Sequence, residues 1–229
     1  MLEQAGWEST VRFLEVSGVV VGRRSPLSMA ARGAVAEGTA PSYPHVGSTA
    51  HVAPPSGYRG LEVHRVVDAT LAGARRALDR WATHDGIGAR VLPPDPPAQG
   101  ATVLVVASLG PFEVLAPNRV VEVVDEPERY GFAYATLEGH PEEGEERFEV
   151  SVLAASLVRL TVRAHSRPAD RLGRALAPLV RGLQRAAADR YLRAWIAAID
   201  EDRVGDAGDA GDAGDAGDAW GGGRGIGHG

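Results

Sequence analysis

The residues best suited to chemistry are one histidine and several glutamates in a short turn, Gly139-His140-Pro141-Glu142-Glu143-Gly144-Glu145-Glu146. An imidazole beside carboxylates can bind a divalent cation or act as a general base. Metal sites usually draw ligands from several elements of a fold, and consecutive glutamates in a loop usually face water. We therefore predict no metal site, and a solvated hairpin tip is the simpler interpretation of the turn.

Glu146 differs from the other glutamates of this turn, because it begins the next predicted strand. It is in phase with Phe148, Val150 and Val152, which the alternation of side chains places on the core face. A carboxylate on that face needs a partner, since burying an unpaired charge is costly.

Three basic residues at the end of the last predicted strand are candidate partners: Arg163, His165 and Arg167. A tight hairpin around Ala155-Ser156 would pair Glu146 with a residue close to His165. Arginines there could close the mouth of a cavity or clamp an anionic ligand. A structural ion pair that fixes the strand to the following helix is the simpler alternative.

Aromatic residues alternate along the strand before the turn, at Tyr130, Phe132 and Tyr134. The Tyr134 hydroxyl could orient a ligand carbonyl, although such a stripe is more commonly core or cross-strand packing. His84 is predicted to be a cation in the last turn of a helix, where it complements the helix dipole. The candidate ligand-binding residues are therefore Tyr134, His140, Glu145, Glu146, Arg163, His165 and Arg167.

Hydrophobic periodicity predicts the elements that position these residues. A first helix is expected between Asp68, as its N-cap, and Gly86, as its stop. Consecutive hairpins indicate an antiparallel sheet with one buried face, which only the long C-terminal helix can cover. The expected strands are 61–67, 101–109, 119–126, 129–137, 146–154 and 157–165, and the expected long helix is 169–199, kinked near Pro178.

This order of elements predicts an α+β helix-grip fold of the Bet v 1/START type. Its antiparallel sheet of six to seven strands would wrap the C-terminal helix around a pocket. Residues 42–199 are expected to form this domain. Residues 1–41 are expected to be an irregular extension, and residues 200–229, with five tandem Gly-Asp-Ala triplets, a disordered tail.

Composition excludes several functions. The chain has no cysteine, and all 24 of its basic residues are arginine, so a thiol nucleophile and a Schiff-base lysine are both impossible. Residues 200–229 carry eight acidic residues and two arginines, which accounts for the net charge of −6. The rest of the chain is neutral overall and offers no field for nucleic acid. No run is long enough to span a membrane, and the cytoplasm is the expected location.

Several segments carry a more specific resemblance. They are SYPHVGST (42–49), PSGYR (55–59), RWATHDG (80–86), NRVVEVVDEPERYGFAYATLEGHPEEGEERFEV (118–150), RAHSRP (163–168) and LQRAAADRYLRA (183–194). Together they resemble the family catalogued as domain of unknown function nineteen-ninety, over about residues 42–199. The resemblance implies a Bet v 1-like fold and an internal cavity. It implies no catalytic residue.

Three functions are compatible with these features. The first is a binding domain for a small apolar or amphipathic molecule, with no cofactor. The second is a cyclase, hydrolase or isomerase that uses acid–base groups at the cavity mouth, such as His140, Glu146, His165 or Tyr134, provided that two of them converge. The third is a protein-interaction module, in which the acidic turn and the arginines of the long helix recognise opposite charge.

Overall fold

The computed structural model describes residues 14–16, 19–23, 39–109, 112–169 and 177–212, and their side chains within 39–107, 114–169 and 185–205. The described strands form one sheet in which every pair of neighbours is antiparallel. The strands are β1 Leu14–Val16, β2 Val19–Arg23, β3 Arg59–Asp68, β4 Ala89–Leu92, β5 Thr102–Leu109, β6 Phe112–Glu126, β7 Arg129–Thr136, β8 Glu142–Ala154 and β9 Leu157–Pro168.

The strands follow the order β1-β2-β6-β7-β8-β9-β3, with β5 also paired to β6 and β4 paired to β5. The helices are α1 Leu71–Asp79, α2 Ala82–Asp85 and α3 Ala177–Asp212, and a 3₁₀ turn spans Ser48–Ala50. Seven strands, β3 to β9, and a long C-terminal helix lie within the region from 42 onward. This confirms the predicted α+β helix-grip arrangement.

Four strands, β3, β6, β8 and β9, are longer than the sequence predicts. β6 begins at Phe112, so most of the segment 110–118 that was expected to be a loop is strand. β8 begins at Glu142, inside the expected hairpin tip. Strand β4 was not predicted at all. Cross-strand pairing therefore overrides the loop signals of proline, glycine and glutamate at these positions.

The first helix is divided where the sequence predicts continuity. Its N-cap is Thr70, whose side chain accepts a hydrogen bond from the Gly73 amide, and not Asp68. Trp81 adopts a left-handed conformation with φ 59° and separates α1 from α2. This conformation is unfavourable for a bulky residue. Packing of the buried Trp81 ring against Phe132, and its hydrogen bond to the Asp95 carbonyl at 2.8 Å, offset that cost.

The core lies between the three helices and one face of the sheet, which we call the inner face. Trp195 of α3 is fully buried there and donates its indole N–H to the Ala74 carbonyl of α1 at 2.9 Å. The rings of Phe148 and Tyr191 meet edge to face at 5.1 Å, so α3 contacts the middle of the sheet directly. The opposite, outer face is partly covered by residues 42–58, which we call the strap, and whose Tyr43 and Tyr58 are buried.

The two ends of the chain differ from expectation. α3 continues to Asp212, past the expected end at Ile199. The kink expected near Pro178 stays a prediction, because the residues just before α3 lie outside the described ones. β1 and β2 extend the sheet from a segment predicted to be irregular. The predicted disorder of the remaining tail falls on residues outside the described ones, and the division into three regions stays a prediction.

Candidate ligand-binding site

The alternation of side chains along the strands divides the candidate residues between the two faces of the sheet. In the register of β8 with β9, Glu145 pairs with His165 and Glu146 pairs with Ala164. Neighbours along a strand point to opposite faces. The expectation that Glu146, His165 and Arg167 share one cavity mouth is therefore wrong, because Glu146 faces the helices and the two basic residues do not.

On the inner face, a chain of hydrogen bonds ends at Glu146. The Tyr134 hydroxyl donates to Glu146 Oε2 at 2.6 Å, across the β7–β8 pair. His84 Nε2 lies 3.2 Å from the same hydroxyl, and Thr83 Oγ1 lies 3.0 Å from His84 Nδ1. The tautomer with its proton on Nε2 satisfies both contacts of the histidine. Tyr191 of α3 also hydrogen-bonds to Tyr134.

Burial governs the charges of this group. It lowers the pKa of His84 to about 3, so that the imidazole is neutral at physiological pH. It raises the pKa of Glu146 to about 7, against the opposing hydrogen bond from Tyr134 and with a further contribution from the charge of Glu142. The pKa values of Tyr134 and Tyr191 are also raised by burial. Of these four groups, Glu146 is therefore the one that changes charge near neutral pH.

Solvent reaches one row of the inner face. Glu146, Ala164 and Leu61 lie side by side on β8, β9 and β3, and each keeps accessible surface. The next row, Phe148, Val162 and Val63, is 0%, 1% and 8% exposed. The described part of the helical layer thus covers the second row more completely than the first.

His140 lies in the turn that leads into β8, close to the Glu146 end of the inner face. Its Nδ1 accepts a hydrogen bond from the Glu142 amide at 2.9 Å. Burial lowers the pKa of His140 to about 4, so it too is neutral at pH 7. Its side chain still keeps some accessible surface.

On the outer face, Glu145 holds the strap. Its side chain is 2% exposed. One carboxylate oxygen accepts from the Gly47 amide at 2.6 Å, and the other accepts from the Thr49 amide at 3.0 Å and from the Thr49 hydroxyl. A buried carboxylate with several donors is well satisfied, so Glu145 has a structural role in this arrangement.

Two arginines and His165 complete that attachment. Arg163 Nη1 donates to the Thr49 carbonyl at 2.6 Å, and Arg147 Nε donates to Thr49 Oγ1 at 3.2 Å. His165 is fully buried, and its Nδ1 lies 3.0 Å from Ser48 Oγ. Burial lowers the pKa of His165, with opposing effects from the Val52 backbone and from Glu145.

Arg167 pairs with a glutamate of its own chain. Its Nη2 lies 2.9 Å from Glu143 Oε1, its guanidinium lies 4.6 Å from the centre of the Tyr58 ring, and Tyr58 donates to the same glutamate. The interpretation of 139–146 as a solvated hairpin tip is thus wrong for Glu143 and Glu145, which bond within the chain. This pairing also weakens the hypothesis of an interaction module, which needed those carboxylates for a partner.

Sequence reasoning missed His84 and Tyr191 as members of the inner-face group. His84 was expected to be a helix-terminal cation, and it is instead fully buried and neutral. The left-handed turn at Trp81 changes the direction of the chain. A prediction that continues the helix through Trp81 therefore assigns His84 to the wrong position. Tyr191 lies on the apolar face of α3, and a hydroxyl on that face gives no periodic signal in the sequence.

The described residues also bear on metal binding and on membrane insertion. Among these residues, no three His, Asp or Glu side chains are placed to hold a metal ion. Of the helices that the structure describes, none is long and apolar enough to cross a membrane.

Comparisons with known proteins place the chain in a family. The model of the family described as "Domain of unknown function (DUF1990)" matches residues 42–194. A UPF0548 protein of Deinococcus radiodurans is 43% identical over 108 residues. That match covers 44% of this chain and 54% of the relative, so it spans about half of the relative's length.

Solved structures resemble the chain more distantly. A hypothetical protein from Helicobacter pylori aligns with a TM-score of 0.49 at 12% identity, over 61% of this chain and 86% of that chain. A conserved protein from Geobacillus kaustophilus aligns with a TM-score of 0.48 at 12% identity, over 62% and 95%. Norcoclaurine synthase from Thalictrum flavum, in complex with dopamine and hydroxybenzaldehyde, aligns with a TM-score of 0.40 at 13% identity, over 58% and 84%.

Proposed function

The chain belongs to the DUF1990 family, and we propose that this member binds a small amphipathic molecule between the inner face of its sheet and α3. Glu146 and Tyr134 make the polar contacts in this proposal. Leu61 and Ala164 provide apolar surface beside them.

The observation that carries the proposal is the accessible row of Glu146, Ala164 and Leu61. Burial is the main cause of the raised pKa of Glu146, yet its side chain keeps accessible surface. A carboxylate on an open surface would keep an ordinary pKa, because water would solvate its charge. Both properties together favour an enclosed space beside the carboxylate, of the kind that a small ligand fills.

The chemistry of the row fits an amphipathic ligand. Apolar side chains on β9 and β3 favour burial of hydrocarbon, at roughly 25 cal/mol per Å² of apolar surface. The carboxyl of Glu146 accepts a hydrogen bond when ionised and donates one when protonated. A few polar groups within a mostly apolar lining are typical of small-molecule sites.

A neutral fluorescent probe tests the proposal. N-phenyl-1-naphthylamine should bind to the full chain with increased fluorescence. Leu61→Trp fills the accessible row and should weaken probe binding at least tenfold. Val66→Trp is the matched control, because Val66 lies on the same strand with 49% of its surface exposed, and it should leave binding unchanged. Absence of probe binding in the wild type, or equal binding in both variants, would contradict the proposal.

Acid–base catalysis on the bound molecule is a second candidate, favoured by one observation. Two of the acid–base groups considered from the sequence converge, since Tyr134 and Glu146 are hydrogen-bonded at 2.6 Å. A carboxyl that titrates near neutral pH is suited to take up and return a proton. Exchange of the α-protons of 2-octanone with deuterated solvent should then be faster with the wild type than with Glu146→Gln. Exchange no faster than in buffer alone argues for binding without catalysis.

A further inference from the structure

We propose that the ligand carries a protonated amine, which pairs with the Glu146 carboxylate while its apolar part lies along Ala164 and Leu61. This inference rests on the proposed function and specifies the class of molecule that the inner-face site takes. The observations that carry it are the charges of the described side chains around Glu146 and the accessible apolar surface beside it.

No described side chain that faces Glu146 carries a positive charge at neutral pH. On β8 itself, Glu142 is a second carboxylate, and its charge disfavours ionisation of Glu146. Tyr134 on β7 and Tyr191 on α3 are neutral phenols. The neighbour on β9 is Ala164. The imidazoles on the helical side and in the turn, His84 and His140, are neutral because burial lowers their pKa values.

The nearest described arginines on β8 and β9 act on the other side of the sheet. Arg147 pairs with Glu122 and Arg163 pairs with Glu62, and both contact the strap. Three further arginines, Arg171, Arg174 and Arg181, belong to the part of the chain whose side chains the structure does not describe. If one of them is the partner of Glu146, an anionic ligand should bind more tightly than an amine.

The rings around Tyr134 add no charge to this surface, because Phe148 and Tyr191 pack against each other at 5.1 Å between centroids and are buried. The head group of the ligand therefore decides how strongly it interacts with Glu146. A neutral head group would gain only a hydrogen bond from Glu146, and a carboxylate ligand would be repelled by it.

The pairing makes affinity depend on pH in a defined direction. Glu146 has a pKa of about 7 in the free chain, whereas an alkylamine, like lysine, has a pKa near 10.4 and stays protonated below about pH 9. As pH rises from 6 to 8, the ionised fraction of Glu146 rises about tenfold. Affinity for the amine should rise by the same factor and then level off.

Three ligands of equal chain length separate the alternatives in the full-length protein: octylamine, 1-octanol and octanoate. Each is titrated against bound N-phenyl-1-naphthylamine at pH 6 and pH 8. Octylamine should displace the probe most tightly at pH 8, and its affinity should increase about tenfold between the two pH values. 1-Octanol should show little dependence on pH. Octanoate should bind more weakly than 1-octanol, most clearly at pH 8.

Two variants test whether Glu146 is responsible. Glu146→Gln should remove the pH dependence of octylamine binding and its advantage over 1-octanol. Glu128→Gln changes an exposed glutamate at the β6–β7 turn and should retain both. Tighter binding of octanoate than of octylamine would overturn the inference and point to an arginine of 170–184 as the partner of Glu146. Equal binding of amine and alcohol, or no displacement by any of the three, would also overturn it. In each case, probe binding that is sensitive to Leu61→Trp would still support the proposed function.

Discussion

Glu145 and Glu146 are adjacent in the chain and have opposite environments. Glu145 points to the outer face, where it is 2% exposed and accepts hydrogen bonds from two backbone amides and a hydroxyl. Glu146 points to the inner face, where the Tyr134 hydroxyl is its hydrogen-bond donor among the described contacts and burial raises its pKa to about 7. The glutamate on the outer face is thus held by several hydrogen bonds, whereas the pKa of the glutamate on the inner face lies close to neutral pH.

The two faces of the sheet therefore treat a buried carboxylate differently. On the outer face, the donors to Glu145 are already in place, so nothing remains for a ligand to supply. On the inner face, the charge of Glu146 is poorly compensated by the described residues, which costs stability. Uncompensated polar groups of this kind are typical of binding and catalytic sites. Substitutions on the two faces test this contrast.

The largest effect is expected from Glu145→Ala. The change leaves the Gly47 and Thr49 amides and the Thr49 hydroxyl without their acceptor, and buried bonds to a charged group are worth about 1.5–3 kcal/mol each. Urea denaturation should show a loss of about 3 kcal/mol or more in the free energy of unfolding. Glu126→Ala, at an exposed ion pair, is the control and should cost less than about 1 kcal/mol. A similar small loss for Glu145→Ala would mean that the strap is not anchored there.

Glu146→Gln should act in the opposite direction. The raised pKa of Glu146 means that the folded chain holds this proton more tightly than the unfolded chain. Stability is therefore lost as pH rises from about 4.3, the ordinary value for glutamate, to about 7. Above pH 7, the amide variant should be more stable than the wild type by up to about 3 kcal/mol, and below pH 4 the two should converge. A wild type more stable than the variant at pH 8 would show that Glu146 has a charged partner.

Gly86→Ala tests the cover of the inner face. A methyl group at Gly86 would overlap the Ala194 side chain of α3 and lie 3.1 Å from the Arg190 carbonyl. Overpacking of this kind costs about 1–3 kcal/mol, which thermal unfolding would detect. Ala194→Gly in the same chain should recover part of the loss, although the glycine itself weakens the helix by up to about 1 kcal/mol. No loss from Gly86→Ala would mean that α3 does not press on α2.

Tyr134→Phe should have an effect of similar size. The change removes a hydroxyl that contacts Glu146, His84 and Tyr191, and each lost hydrogen bond costs about 1 kcal/mol. Because the bond to Glu146 lowers the pKa of that carboxyl, its removal should raise the pKa further and shift the pH midpoint of octylamine binding upward. Tyr130→Phe alters the same strand face at a hydroxyl that donates to Asp79 instead, and it should leave the midpoint unchanged. A midpoint shifted equally by both variants would exclude a specific role for Tyr134.

Arg167→Ala should have the smallest effect. The Arg167 side chain is 45% exposed in its ion pair with Glu143, and such pairs contribute at most about 1 kcal/mol. The sequence suggested that this arginine lines a ligand site, but its position on the outer face leads us to expect unchanged probe binding. Weakened binding would place a ligand on the outer face and reverse the contrast between the two glutamates.

The helix-grip arrangement and the orientation of Glu146 were predictable from sequence. Period-two alternation with Phe148 and Val150 places Glu146 on the core face, as the structure confirms. The partner of Glu146 was not predictable, because the hairpin register determines it. If the register of β8 with β9 shifted by one residue, Glu146 would pair with His165 instead of Ala164, and the side chains of one strand would move to the opposite face.

Two other features, the strap and the position of His84, could not be predicted from local sequence patterns. The strap belongs to a stretch rich in glycine, proline and serine that has no periodicity, and long-range bonds from Glu145 and Arg163 to Thr49 hold it in place. His84 required knowledge of the left-handed turn at Trp81, which tertiary packing stabilises. Local propensity cannot anticipate either feature, since both depend on contacts between residues distant in the chain.

The titration of the Glu146 carboxyl tests the central claim most directly. Carbon-13 NMR of side-chain carboxyl groups, with the Glu146 signal assigned by its loss in Glu146→Gln, follows that one group across pH. We expect a midpoint near 7 in the free protein, as burial raises the pKa to about 7, and a lower midpoint when octylamine is added. A midpoint near the ordinary value of about 4.3, unaffected by the amine, would contradict the assignment of Glu146 to a ligand site.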